Sequence, residues 1–293
     1  MNSIELKSRA KINLSLDVLG KREDGYHLVE MIMQTIDLYD IIKIEEIEID
    51  EININSNSSD IPLNGNNIVY KAAKLIKDKF NIKKGVNIFI EKNIPVAAGM
   101  AGGSCNAAAV LVGLNKIWKL NLSEEKLQKI GLKLGADVPF CISGRAALAE
   151  GIGEELTYIN GLPNDLNILV CKPNIFVSTK DVYQGLDLNN IINRPNNKLL
   201  IECLEKGNIK LLASNMVNVL ESVTSKMHEE IQDIEKTMLE HNALGSMMSG
   251  SGPTVFGLFD DKDEALKARG KLLKKYNQVY VVGSSEKGVE ING

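Results

Sequence analysis

A basic excess, a paired-cysteine pattern and a long apolar run are all missing from this chain of 293 residues, and each absence removes a class of function. Lysine and arginine number 34 against 38 aspartate and glutamate, so the net charge is −4 and the counterion-releasing surface of a nucleic-acid binder is not expected. Cys105, Cys141, Cys171 and Cys203 lie far apart without a Cys-x-x-Cys, and the three histidines form no His-Glu-x-x-His. Neither a disulfide frame nor a zinc site is suggested, and reduced thiols in a cytoplasmic protein are the expectation. No apolar run approaches the ~20 residues of a membrane span, and the first nine residues lack the apolar core of a signal peptide. Membrane insertion and secretion are not expected, and the partners should be small molecules. Repeats and low-complexity tracts are also missing. The length fits one large domain or two of about 150 residues each.

What is present begins with Pro95-Val96-Ala97-Ala98-Gly99-Met100-Ala101-Gly102-Gly103-Ser104-Cys105-Asn106. Val86, Ile88 and Ile90 alternate along a strand before it, and Ala107 to Trp118 form an apolar helix after it, with a first turn at Ser104 to Asn106. Glycines between strand and helix let the main chain approach an anion, and the free N–H groups and positive dipole end of the helix favour negative charge. The spacing is neither a Walker A loop nor a Rossmann fingerprint. Taken alone, such a run more often serves a tight turn and close helix packing than a nucleotide.

Strands are predicted at 3–8, 12–19 and 41–49, the last with a slip of phase after Ile44 that suggests a bulge. Asn67 should cap a helix striped by Ile68, Ala72, Leu75, Ile76 and Phe80, and Ser123 another that stops at Gly135, placing Asp137 just past a helix end. Strands near 145–149 and 167–171 follow, then an exposed Asn-rich loop at 187–198, helices near 208–221, 228–241 and 262–275, and strands at 254–259 and 278–282. The second half reads as a smaller α+β unit, with a boundary at Gly161-Leu162-Pro163.

Three further segments carry reactive side chains. Lys11 sits among alternating strand residues, where a solvated position is the plain alternative. Asp137 precedes an apolar turn, which it could organise instead of accepting a proton. Met248 to Phe256 is a small-residue loop leading into a strand, a hairpin signal that can also meet a ligand.

In order and wording these segments resemble the GHMP kinase superfamily nearly end to end: Ala10-Lys11-Ile12-Asn13-Leu14, then Pro95 to Ala108, then Ser249-Gly250-Ser251-Gly252-Pro253. Arg22 to His27, Gly135 to Phe140 and Val177 to Tyr183 look like the branch that phosphorylates a cytidine diphosphate derivative of methylerythritol, rather than homoserine, mevalonate or galactose. The resemblance implies an α+β fold of two domains, ribosomal-S5-like over 1–160 and ferredoxin-like over 161–293, with the site in their cleft. It implies ATP as phosphoryl donor and Mg²⁺ with it, although no carboxylate cluster marks a metal site. Carried over by position, it makes Lys11 and Asp137 the catalytic pair and Pro95 to Cys105 the ATP loop. Asn13, His27, Asn106 and Thr179 would bind substrate, and Tyr26 and Tyr183 would sandwich the cytosine. Ala97, Ala101 and Cys105 depart from the family's glycines and serine; main-chain N–H groups survive all three changes.

Overall fold

The computed structural model describes residues 3–292. Strand β1 (Ser3–Lys21) turns back into β2 (His27–Ile47), and the two pair antiparallel along almost their whole length. The expected strands at 3–8 and 12–19 are therefore one strand. The gap between them is a register shift between Arg9 and Lys11, a bulge that redirects the side chains that follow. The phase slip after Ile44 is no bulge: Ile47 pairs in register with Gly85 and ends the strand, and Ile49 beyond it is exposed. Residues 27–40 carry no clean alternation because both faces of this hairpin are covered.

Next come β3 (Ile52–Ser56), α1 (Ile68–Phe80), β4 (Gly85–Glu91), α2 (Gly102–Ile117), α3 (Glu124–Gly131), α4 (Val138–Ser143), β5 (Ala146–Glu150) and β6 (Glu155–Ile159). Asn67 caps α1 through its side-chain oxygen, which accepts from Val69 N at 2.9 Å. Ser123 caps α3 as expected, but that helix ends at Gly131, and the chain reaches Gly135 through a turn in which Leu134 N donates to Gly131 O. The second half holds β7 (Asn167–Lys172), α5 (Thr179–Gly185), α6 (Asn197–Glu205), α7 (Ile209–Ser214), α8 (Glu221–Met227), α9 (Glu230–Glu240), β8 (Gly245–Met248), β9 (Val255–Phe259), α10 (Lys262–Leu272), β10 (Gln278–Val282) and β11 (Val289–Asn292). The helix expected over 208–221 is broken, because residues 217–219 straighten and bond to both backbone groups of Leu16.

Two sheets result. The larger has the order β11-β1-β2-β4-β3, with β5 on the first half of β2 and β6 on β5; β3 is its parallel member. The smaller is antiparallel in the order β10-β7-β9-β8. Strand β11 returns from the second half to pair with β1, so the chain crosses the expected boundary twice. Helices α1 to α4 close one core over Leu6, Ile42, Val86 and Ile88. The remaining faces of β1 and β2 share two further cores with the smaller sheet, through Leu14 and Phe256 in one and Met31 and Phe259 in the other. Burial of these side chains, worth about 1.5–3 kcal/mol each, fixes β1 between the two halves.

A half-buried carboxyl pair, Glu221 with Glu235, lies outside the cleft. Glu235 on α9 is pushed up to about 9 by burial first and then by the charge of Glu221, whose own carboxyl is also raised by burial. The folded chain thus keeps a proton on Glu235 that the unfolded chain releases near the ordinary value of 4.5, and stability falls as pH rises from there towards about 9. Glu235→Gln, permanently neutral and still a donor, should flatten this decline. Melting curves across that window test it, and parallel wild-type and variant curves would contradict the shared proton.

Candidate active site

Lys11 is 5 % exposed, so the solvated-strand alternative fails. Its ammonium donates to Asn13 Oδ1 at 2.6 Å, and its backbone N–H to Met100 O at 3.3 Å, which ties β1 to the loop before α2. Asn13 is fully buried; its N–H reaches Ser249 Oγ at 3.3 Å, and that hydroxyl donates to Gly99 O at 3.1 Å. Strand β1, the loop before α2 and the loop after β8 are thereby laced together beneath one cavity of about 800 Å³.

Along the cavity run Pro95, Val96, Ala97, Ala98, Gly99, Ala101, Gly102, Gly103 and Ser104. Met100 and Cys105 do not line it; both are buried in the core. No side chain caps α2, whose N-cap Ala101 is left-handed, and its first turn holds no acidic residue. The open N–H groups of Gly102, Gly103 and Ser104 form an anion site of the kind a phosphate occupies. Gly99 is demanded by contact: its φ is +71°, and a Cβ there would stand 2.2 Å from Ser249 O.

Ala97 also sits in the left-handed region, at φ 50°, with its methyl exposed. An L-residue there costs about 1–2 kcal/mol, and glycine returns most of this less about 0.4–1 kcal/mol of unfolded-state entropy. Ala97→Gly should therefore raise stability by about 0.5–1 kcal/mol, read as a higher Tm. A lower Tm would mean that the methyl makes a contact worth more than the strain.

Asp137 is the N-cap of α4, helped by Pro139 in the first turn, yet its carboxylate makes no capping bond. It lines the cavity with Lys11, but the two form no ion pair: the ammonium is given to Asn13. Beneath them Cys105 and Cys141 place their sulfurs 3.2 Å apart, and the bond to Cys105 followed by burial pushes the Cys141 thiol well up. Cys105 thus packs α2 against α4 through its contact with Cys141.

Of the substrate candidates, Asn106, Thr179 and Tyr183 line the cavity. Asn106 is buried and accepts from Ser8 Oγ at 3.0 Å, while Thr179, at the start of α5, shares a 2.8 Å bond with Ser251 Oγ. Tyr183 is stacked on His27, with ring centroids 4.8 Å apart and planes tilted 33°. Burial, then the charge of Asp137, pushes the Tyr183 phenol up to about 12, and burial with the Lys21 charge lowers His27, so both rings are neutral near pH 7. Tyr26 is 59 % exposed and outside the cavity lining, so the aromatic pair brought together here is His27 with Tyr183, not Tyr26 with Tyr183.

Sequence reasoning missed Lys92 and Phe176, whereas the small-residue loop it singled out as able to meet a ligand does reach the cavity, through Gly250, Ser251 and Gly252. Lys92 pairs with the fully buried Asp40 at 2.7 Å, and the other Asp40 oxygen accepts from Asn93 N and Ile94 N, fixing the entry to the ATP loop. Lys92 comes just after the end of an ordinary strand, β4, and Phe176 lies in an irregular stretch, so neither carries a local signal. Among the described residues no group of three His, Cys, Asp or Glu could hold a metal, and no helix is long and apolar enough to cross a membrane.

Residues 67–145 match the family GHMP kinases N terminal domain, and residues 200–278 match GHMP kinases C terminal. A 4-diphosphocytidyl-2-C-methyl-D-erythritol kinase of Clostridioides difficile is 72% identical over 293 residues, covering 100% of this chain and 99% of the relative. A kinase of the same name from Alkaliphilus oremlandii is 55% identical over 291 residues, covering 99% and 100%. The crystal structure of a 4-(cytidine 5'-diphospho)-2C-methyl-D-erythritol kinase superposes with a TM-score of 0.82 at 30% identity, over 96% of this chain and 99% of that one. A homoserine kinase structure from Cytophaga hutchinsonii, 18% identical with a TM-score of 0.81 over 100% and 98% of the two chains, shares the fold. The chain therefore belongs to the GHMP kinases, within the family of 4-diphosphocytidyl-2-C-methyl-D-erythritol kinases.

Proposed function

We propose that the chain transfers the γ-phosphoryl of ATP to the 2-hydroxyl of 4-diphosphocytidyl-2-C-methyl-D-erythritol, giving the 2-phosphate for isoprenoid precursor synthesis in the cytoplasm. The observation that carries this reading is one cavity that holds Lys11, Asp137, the uncapped start of α2 and the His27–Tyr183 stack at its edge. Residues 1–160 supply the ATP loop and the catalytic pair, and residues 161–293 supply Thr179, Tyr183 and the loop at 249–252.

The phosphates of ATP lie against the N–H groups of Gly102 to Ser104. Asp137 takes the proton of the 2-hydroxyl as its oxygen attacks the γ-phosphorus, the bond to the β-γ bridging oxygen breaks, and ADP leaves. Lys11 faces the charge that grows on the transferring group. Among the described residues Asp137 is the one carboxylate lining the cavity, so a Mg²⁺ would be held mainly by the nucleotide's phosphates and water, with Ser104 the hydroxyl that could assist, and would supply neutralisation of the phosphate charge. Asn106 holds the substrate end near β1 with Asn13 behind it steadying the Lys11 ammonium, and Thr179 adds a hydroxyl from the other side.

The cytosine is read by Tyr183, with Tyr26 turning in from its exposed position to cover the other face and neutral His27 bonding the base edge. An aromatic face contributes about 1–3 kcal/mol to a stacked base, so Tyr183→Ala should raise the KM for the cytidyl substrate roughly 5- to 150-fold. The KM for ATP should hardly move. Equal use of a substrate without the nucleobase would return the chain to a small-molecule kinase of other specificity.

A further inference from the structure

The loop Ser249–Gly252 packs against Gly99 of the ATP loop and lines the cavity through residues 250–252, yet its own sequence explains little of its shape: it is glycine and serine, with Gly250 at φ 59° and Gly252 at φ 86°. What holds it lies behind it. Asn218 Nδ2 donates at 2.8 Å to Met248 O and at 2.8 Å to Gly250 O, and Asn218 Oδ1 accepts from Leu220 N at 3.1 Å. Glu221 Oε2 accepts from Met248 N at 2.7 Å, and Thr224 Oγ1 donates to Ser251 O at 3.2 Å. None of the three lines the cavity, and Asn218 and Thr224 are buried. The segment is in turn anchored to the strand that carries Lys11, since Leu16 N donates to Val217 O at 2.9 Å and Val219 N to Leu16 O at 3.0 Å.

We infer that Asn218 is a positioning residue for phosphoryl transfer: it sets the distance between the Ser249–Gly252 loop and the Lys11 strand. The chemistry selects the side chain. Two carbonyls need two donors and the Leu220 N–H needs an acceptor, and at this length only a primary amide supplies all three. Aspartate has the same shape but turns an acceptor towards both carbonyls, so the loop loses its anchor and keeps its volume. A loop out of place by a fraction of an ångström hinders alignment of the reacting groups more than ground-state binding, and the loss falls on kcat.

This inference rests on the kinase reading of the same cavity, so wild-type ADP release with the cytidyl substrate is measured first. A wild type inactive on that substrate refutes the kinase reading, whatever the variants do. With an active wild type, Asn218→Asp and Asn218→Ala should lower kcat about 10- to 100-fold while the KM of each substrate changes less than about threefold, with the far-UV spectrum retained. A folded variant with kcat within twofold of wild type overturns the inference, as does a loss confined to KM. Should both variants fail to fold, Thr224→Val and Thr224→Ser divide the cases: a kcat loss in the valine variant that serine restores supports the anchor, and equal rates in the two contradict it.

Discussion

Asp137→Asn should lower kcat by about two to four orders of magnitude while leaving ATP and substrate binding within a few-fold of wild type. The substitution is nearly isosteric, and the carboxylate supports no helix cap, so the fold loses nothing that would mimic a catalytic defect. What disappears is the acceptor for the hydroxyl proton. Binding measured by titration beside single-turnover rates separates proton transfer from affinity. Near-normal turnover would assign the proton to solvent and leave Asp137 as the residue that opens α4.

Lys11→Met should cost about 2.7–4 kcal/mol of transition-state stabilisation, roughly a hundred- to a thousand-fold in kcat, because the lost charge matters most when negative charge develops. Its effect on stability should run the other way. Lys11 is 5 % exposed and gives its ammonium to Asn13 without a carboxylate partner, so a desolvated cation is held at a cost that an apolar side chain of similar length avoids. The variant should melt no lower than wild type. A large fall in Tm together with a proportional loss of activity would make Lys11 a structural residue.

Much of this was legible where one residue type decides a local geometry. Asn67 and Ser123 cap helices through side-chain oxygens that accept from the first turn, and the Gly-rich run before α2 reads as the turn into a helix, with the family resemblance adding the ATP loop. The family resemblance found the cavity residues Lys11, Asn106, Asp137, Thr179 and Tyr183. Legibility failed where long-range contacts override local pattern. The length of β2 is hidden because both of its faces are covered, and β11 is invisible until β1 offers it an edge. The break in the helix expected at 208–221 comes from Leu16, some two hundred residues away in sequence. Tyr26 illustrates the other limit: a motif match suggests a residue's role but not its position, and here its ring is exposed and the ring stacked on Tyr183 is that of His27.

The central claim is that this cavity phosphorylates an alcohol bearing a cytidine diphosphate, and substrate competition in one ADP-release assay tests it most directly. With ATP saturating, 4-diphosphocytidyl-2-C-methyl-D-erythritol should give the highest kcat/KM, with homoserine, mevalonate and galactose lower by several orders of magnitude. Comparable rates with any of those three, or no ADP release with the cytidyl substrate, would contradict it.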